Sequence, residues 1–115
     1  MDNPVNYFEI GTSDAAASKA FFGSLFGWPI ADQASPQGYR MIGNDAGGLW
    51  DTSTMGDGNW AIFYVQVADV KAAVEKAESL GAKIAIPYTN GGGIEFAHLI
   101  DPQGNRFGVW RPIAA

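Results

Sequence analysis

EFAHLIDPQGNRFGVWR, Glu95–Arg111, consists of two alternating runs joined by a turn. Asp101-Pro102-Gln103-Gly104 suits a type I turn, with Asp first, Pro second and Gly fourth. The hairpin carries His98, the only histidine of the chain. Its second run has an earlier echo. Gly47-Gly48-Leu49-Trp50-Asp51 repeats the Gly-x-Trp spacing of Phe107-Gly108-Val109-Trp110-Arg111. The echo points to a duplicated chain.

Working outward, the duplication extends along the sequence. Val5–Gly11 reads as a strand, with Tyr7 and Glu9 on one face and Phe8 and Ile10 on the other. Thr12-Ser13-Asp14 offers N-cap chemistry, and a helix should run to about Phe26. Ala17, Phe21, Leu25 and the adjacent Phe22 form its expected apolar stripe, and Gly27 can end it. Trp28–Ala31 reads as the start of a strand, and the stretch from Gln33 to Gly38 as a loop broken by Pro36. Tyr39–Ile42 and Gly47–Trp50 read as short strands around a turn. The polar stretch from Thr52 to Asn59 reads as a linker between halves.

The second half repeats the plan. Trp60–Val67 is a strongly apolar strand, and Asp69 caps a helix. Val70, Ala73, Val74, Ala77 and Leu80 follow helical spacing, and Gly81 terminates it. Ala82–Pro87 reads as a strand and the stretch from Tyr88 to Gly93 as a flexible loop. Gly91-Gly92-Gly93 lacks the Lys-Ser/Thr and following helix of a phosphate loop, so it reads as a hinge. Tyr7–Asp14 superposes on Ile62–Asp69. The expectation is one domain, 1–115, of two modules, about 4–52 and 59–112, each strand, helix, three strands.

Bulk properties narrow the function. At 115 residues, 47% of them apolar, the chain can bury roughly 65% of its unfolded surface. A net charge of −5 and the lack of a basic run argue against nucleic acid and anionic membranes as partners. Zero cysteines exclude disulfides, thiolate metal sites and cysteine nucleophiles. The opening Met-Asp-Asn-Pro lacks signal-peptide character, and no apolar run reaches about 18 residues. A cytoplasmic protein is expected.

Three segments carry a family resemblance: VNYFEIGTSD with its helix ending in Phe26-Gly27, FYVQVADVKAAVEKAESLGAKI, and HLIDPQGNRFGVW. The chain resembles the vicinal oxygen chelate superfamily, which includes glyoxalases, bleomycin- and fosfomycin-resistance proteins, methylmalonyl-CoA epimerase and extradiol dioxygenases. The resemblance implies an α+β fold in which two βαβββ modules form an eight-stranded curved, open barrel-like sheet around a cleft. It also implies homodimers. Metal-dependent members carry ligands at positions that fall here on Tyr7, Gly48, Ile62 and Gly108. Glycine and isoleucine side chains offer a metal nothing, and a divalent ion takes about three or more N or O ligands. The expectation is therefore no metal and no cofactor.

Alternation along the expected strands points Tyr7, Glu9, Gly48, Trp50, Trp60, Ile62, Tyr64, Gln66, Phe96, His98, Gly108 and Trp110 toward the implied cleft. In dioxygenase-like members an active-site residue stands just ahead of the final turn, where this chain has His98. The two glycines are expected to widen the cleft floor beside Trp50 and Trp110. Glu9 and His98 are the candidate acid–base pair, weighed against a carboxylate that buttresses the sheet and a satisfied strand histidine. The tryptophans stand between ligand stacking and plain core packing. Four readings remain open: a metal-independent binder of a hydrophobic or aromatic molecule, a lyase or isomerase using Glu9 and His98, a metal enzyme with a displaced site, and a structural or protein-partner role.

Overall fold

Local signals place most elements. The computed structural model describes residues 3–56 and 58–113. Met1 and Asp2 of the opening segment, and Asp57 of the expected linker, lie outside the described residues. The order is β1 (Val5–Thr12), α1 (Ala15–Phe26), β2 (Tyr39–Ile42), β3 (Gly47–Asp51), β4 (Trp60–Gln66), α2 (Val70–Ser79), β5 (Lys83–Gly91), β6 (Ile94–Ile100) and β7 (Arg106–Pro112). The class is α+β. The chain divides into two compact units: Tyr7–Ala61, and Met1–Asn6 together with Ile62–Ala115.

In the first unit β3 lies between β2, its antiparallel hairpin partner, and β1, which it joins in parallel. A parallel pair needs a crossover, and α1 lies in it. Asp14 caps α1 by accepting the Ala17 N–H at 3.0 Å, and Gly27 closes it in the left-handed conformation, φ 70°. The helix faces the sheet through Ala15, Ser18 and Phe22 rather than through the expected Ala17–Phe21–Leu25 stripe. Phe21 and Leu25 are 59% and 58% exposed. The reason lies beyond the helix: Trp28 folds back and stacks on Phe22, centroids 5.5 Å apart, and Phe22 packs onto buried Ile30, Ile42 and Leu49. Ser18 bonds Thr12 through their hydroxyls at 2.7 Å.

The described residues form seven strands, not eight. The missing one is the strand expected from Trp28, which shrinks to a single bridge, Ile30 to Ile42. Pro29 has no N–H to donate to a ladder, and the Ala31 and Gly43 amides tie this segment to the Met41 and Pro29 carbonyls. The element order is thus βαββ, with one bridge, as far as Asp51, and βαβββ from Trp60 onward.

In the second unit the strand order is β4–β7–β6–β5. β4 and β7 are parallel, and β6 is antiparallel to β7 and β5. Val70 and Val74 of α2 pack on Ala97, Leu99 and Val109 with Val67, forming an apolar core. Leu80, expected in that stripe, becomes the C-cap and is 70% exposed. The expected loop from Tyr88 is instead strand, because β5 continues to Gly91 and pairs with β6. Only Gly92 and Gly93 turn, both at positive φ (66° and 83°), as a two-residue hairpin of type I′ requires. Pro87 falls at a register shift on the outer strand, where a missing N–H is tolerated. No helix among the described residues is long and apolar enough to cross a membrane.

The strand register is alike in the two units. Glu9 pairs with Gly48 and Gly11 with Trp50 in the first unit. Tyr64 pairs with Gly108 and Gln66 with Trp110 in the second. The Gly-x-Trp strand therefore meets the opening strand in the same way in each half.

Candidate functional site

Strand β1 separates its side chains as alternation demands. Phe8 and Ile10 join the core beneath α1, and Tyr7 and Glu9 take the other face. Glu9 is 2% exposed. Its Oε1 accepts the Tyr39 hydroxyl proton and its Oε2 the Trp60 indole N–H, each at 3.0 Å. Tyr39 has one proton, and Glu9 takes it. The 2.8 Å contact between the Tyr7 and Tyr39 hydroxyls is therefore donated by Tyr7. The result is an ordered chain, phenol to phenol to carboxylate. Burial pushes the Tyr7 phenol up to about 12, and the charges of Glu9 and Asp45 add to this against the lowering effect of the Tyr39 bond. Tyr7 accordingly stays a donor at neutral pH.

Trp50 packs edge-on against Tyr39 and Trp60, with both centroid distances 5.9 Å, and its indole N–H reaches the Gln37 carbonyl at 3.2 Å. Gly48 does not widen a floor. The Tyr39 ring lies over it, and a Cβ there would overlap the phenol. Tyr39 itself was not among the candidates drawn from the sequence. The available signal was alternation on β2, which sets Tyr39 opposite Trp50 in the hairpin.

The second unit builds a different cluster from the same register. Gly108 on β7 lies between Tyr64 on β4 and His98 on β6, paired with both. With no side chain at Gly108, the Tyr64 ring crosses that position, 2.5 Å from where a Cβ would stand, and its hydroxyl meets His98 Nε2 at 2.5 Å. The space expected to open the cleft is occupied here too. Arg106 donates its Nε–H to His98 Nδ1 at 3.1 Å. His98 is fully buried and Tyr64 nearly so. Phe96 approaches His98 edge-on at 6.0 Å, and Ile62 is buried on β4. Trp110 donates to Asn6, which donates to Gln66. Arg106 was also missed, although it shares the alternation of Gly108 and Trp110.

The candidates thus fall into two groups. Tyr7, Glu9, Gly48, Trp50 and Trp60 belong to the first unit with Tyr39. Ile62, Tyr64, Phe96, His98, Gly108 and Trp110 belong to the second with Arg106. Glu9 and His98 are in different units, and each makes hydrogen bonds within its own. The positions equated with metal ligands hold two glycines, an isoleucine and one phenol, a donor set that does not fit a divalent ion. Among the described residues no three His, Asp or Glu gather as a metal set.

On the α2 face of the second unit, Arg111 donates from Nε (2.8 Å) and Nη2 (2.7 Å) to Glu95, whose other oxygen accepts the Tyr88 hydroxyl at 2.8 Å. Arg111 and Tyr88 hold the Glu95 carboxyl below the usual carboxylate range. This network ties β5, β6 and β7 together.

Comparison with known proteins agrees with this architecture. Residues 7–110 match the family model of the glyoxalase-like domain, and the chain belongs to that family. It is 28% identical to CFP32 of Mycobacterium tuberculosis, which carries the name of a glyoxylase, over 92% of this chain and 44% of that protein. It is also 28% identical to the anthracycline biosynthesis protein DnrV of Streptomyces peucetius, over 91% of this chain and 46% of that one. The chain spans less than half the length of these relatives. Among solved structures it resembles Streptomyces coelicolor methylmalonyl-CoA epimerase in complex with 2-nitronate-propionyl-CoA, with TM-score 0.62 and 15% identity, covering 96% of this chain and 97% of that one. A hypothetical protein of Bacillus halodurans gives TM-score 0.68 at 12% identity, covering 100% and 99%. At such identities the likeness is one of fold.

Proposed function

We propose that the chain is a glyoxalase-like small-molecule-binding protein that works without a metal ion. A hydrophobic or aromatic ligand would lie against Tyr7, Trp50 and Trp60, with Gly48 admitting the Tyr39 ring behind them. In the second unit Tyr64, Phe96 and Trp110, with Ile62 and Gly108, would form the corresponding ligand face. One observation carries this reading over acid–base catalysis. The carboxylate of Glu9 and both ring nitrogens of His98 are already bonded to side chains of the protein. His98 must give up a buried hydrogen bond before it can exchange a proton with a ligand, and a proton placed on Glu9 competes with two donors already aimed at the carboxylate.

Relatives named for glyoxylase and anthracycline biosynthesis, and neighbours solved with CoA esters, support a small organic ligand. A lyase or isomerase using Glu9 and His98 is the competing reading. A displaced-metal enzyme is a further one. The chain is further proposed to work in the cytoplasm, and to do so as a homodimer because Phe21, Leu25 and Phe26 present an exposed apolar surface on α1.

Tryptophan fluorescence with a panel of planar aromatic compounds tests the binding reading. Saturable quenching is expected, weakened in Trp50→Ala. A panel with no quencher would count against it. Glu9→Gln and His98→Ala should change affinity modestly. A loss of turnover by ~10²–10⁴ in either, with any substrate, would favour the enzyme reading instead. A stoichiometric metal in the purified protein would sink the metal-independent reading.

A further inference from the structure

We propose that Gly11 is a positioning residue of the first unit: its missing side chain lets the Trp60 indole lie flat against β1, and this sets the angle that Trp60 presents to Trp50 and to a bound molecule. Gly11 is buried in β1, and it is not among the glycines at positive φ. Its backbone conformation is therefore open to any residue, and what the position excludes is bulk. A Cβ there would overlap three atoms of the Trp60 indole, all within 2.8 Å. Two of the three, Cδ2 and Cε2, are the atoms shared by the fused rings, so the middle of the ring system and not its rim covers the glycine. Carbon atoms in ordinary contact stand about 3.5–4.0 Å apart, so the indole would have to lift from the strand to admit a methyl group.

The indole is held at a second point on the same strand. Glu9 stands two residues before Gly11, on the same face of β1, and accepts the Trp60 N–H at 3.0 Å. Gly11 pairs with Trp50 in the β1–β3 ladder, and the Trp50 and Trp60 planes meet at 85° with centroids 5.9 Å apart. Aromatic rings favour such an arrangement, because the positive edge of one meets the negative face of the other. A methyl group at Gly11 would tilt Trp60 out of this pairing, strain its bond to Glu9 and reshape the surface that Trp50 and Trp60 offer a ligand. This last step rests on the ligand-binding reading above, whereas the seating of Trp60 does not.

Gly11 carries its own probe. An α-proton takes the place of the Cβ and points at the indole, and ring currents move such a proton strongly upfield. Proton spectra of the whole chain should show a Gly11 α-proton far upfield of an ordinary glycine. Ordinary shifts for both α-protons would overturn the seating, and this spectrum is decisive even where a variant does not fold. Gly11→Ala should move the Trp60 indole N–H resonance, which is identified by its loss in Trp60→Phe. An unmoved resonance would remove Gly11 from the role.

Calorimetric titration with 2-naphthol reads the consequence for binding. Gly11→Ala should weaken affinity by about ten-fold, within what an inserted methyl group costs a packed site. In a Trp60→Phe background the smaller ring leaves room for the methyl group, and the same substitution should cost less than about two-fold. Equal losses in both backgrounds would show that Gly11 acts through the fold at large and would overturn its positioning role. A wild type that does not bind 2-naphthol would count against the ligand-binding reading and end the role of Gly11 in it, with the seating of Trp60 decided independently by the spectra.

Discussion

Glu9 is held by a tyrosine and a tryptophan that lie far from it in sequence, Tyr39 and Trp60. The chain of protons that ends on it begins at Tyr7, which makes Tyr7 the residue whose titration reads out the cluster. Its ionisation is raised in the folded state from 10.0 to about 12. The folded protein thus holds this proton more tightly than the unfolded chain. The resulting stability is complete below pH 10 and is lost as pH rises toward 12. Denaturant titrations across that range should show falling stability in the wild type and a flatter profile in Tyr7→Phe. Equal slopes would place the alkaline limb elsewhere. Tyr7 and Glu9 were legible as one face of a strand, but Tyr39 and Arg106 were not singled out. Hydrogen-bond partners on other strands depend on register, which alternation alone does not supply.

At the scale of elements, the glycines show where sequence reasoning went wrong. Gly48 and Gly108 read as open space, yet each lies beneath a tyrosine ring. A gap in a packed interior is filled by whatever neighbour reaches it. Gly108→Ala should therefore destabilise the fold by about 1–3 kcal/mol through overpacking against Tyr64. It should also break the Tyr64–His98 bond, which the imidazole resonances of the lone histidine would register. A variant as stable as wild type, with an unchanged histidine spectrum, would contradict this packing.

The strand ladder makes a second prediction, through Glu95. Its ionisation lies below the ordinary value because of Arg111 and Tyr88. A depressed carboxyl contributes stability above its ordinary range and loses it as pH falls through the folded value. Arg111→Met removes the main cause, so acid unfolding followed by circular dichroism should begin at a higher pH than in wild type. Coincident acid curves would show that the pair adds nothing.

The helices were legible to different degrees. In α2 the stripe Val70, Ala73, Val74 and Ala77 was correct, because dense apolar spacing leaves one way to bury it. In α1 aromatics lie on adjacent faces, and Trp28, beyond the helix, decided which face turned inward.

For the whole molecule, the exposed surface of α1 is the feature a partner would cover. Phe21 and Leu25 remain more than half exposed. Sedimentation equilibrium should give twice the mass of one chain, and Phe21→Glu with Leu25→Glu should give a monomer that keeps its circular dichroism. A monomeric wild type would end the dimer proposal.

The sequence by itself determined the family, the α+β class, the caps at Asp14 and Asp69 and the repeated Gly-x-Trp strands. These follow from local chemistry and short spacings. Only the tertiary structure decided that Trp28–Ala31 forms a bridge and not a strand, that β5 runs to Gly91, and that tyrosine rings fill the space above Gly48 and Gly108. Strand pairing and ring packing join residues distant in the chain, and their outcome depends on neighbours that no local pattern encodes.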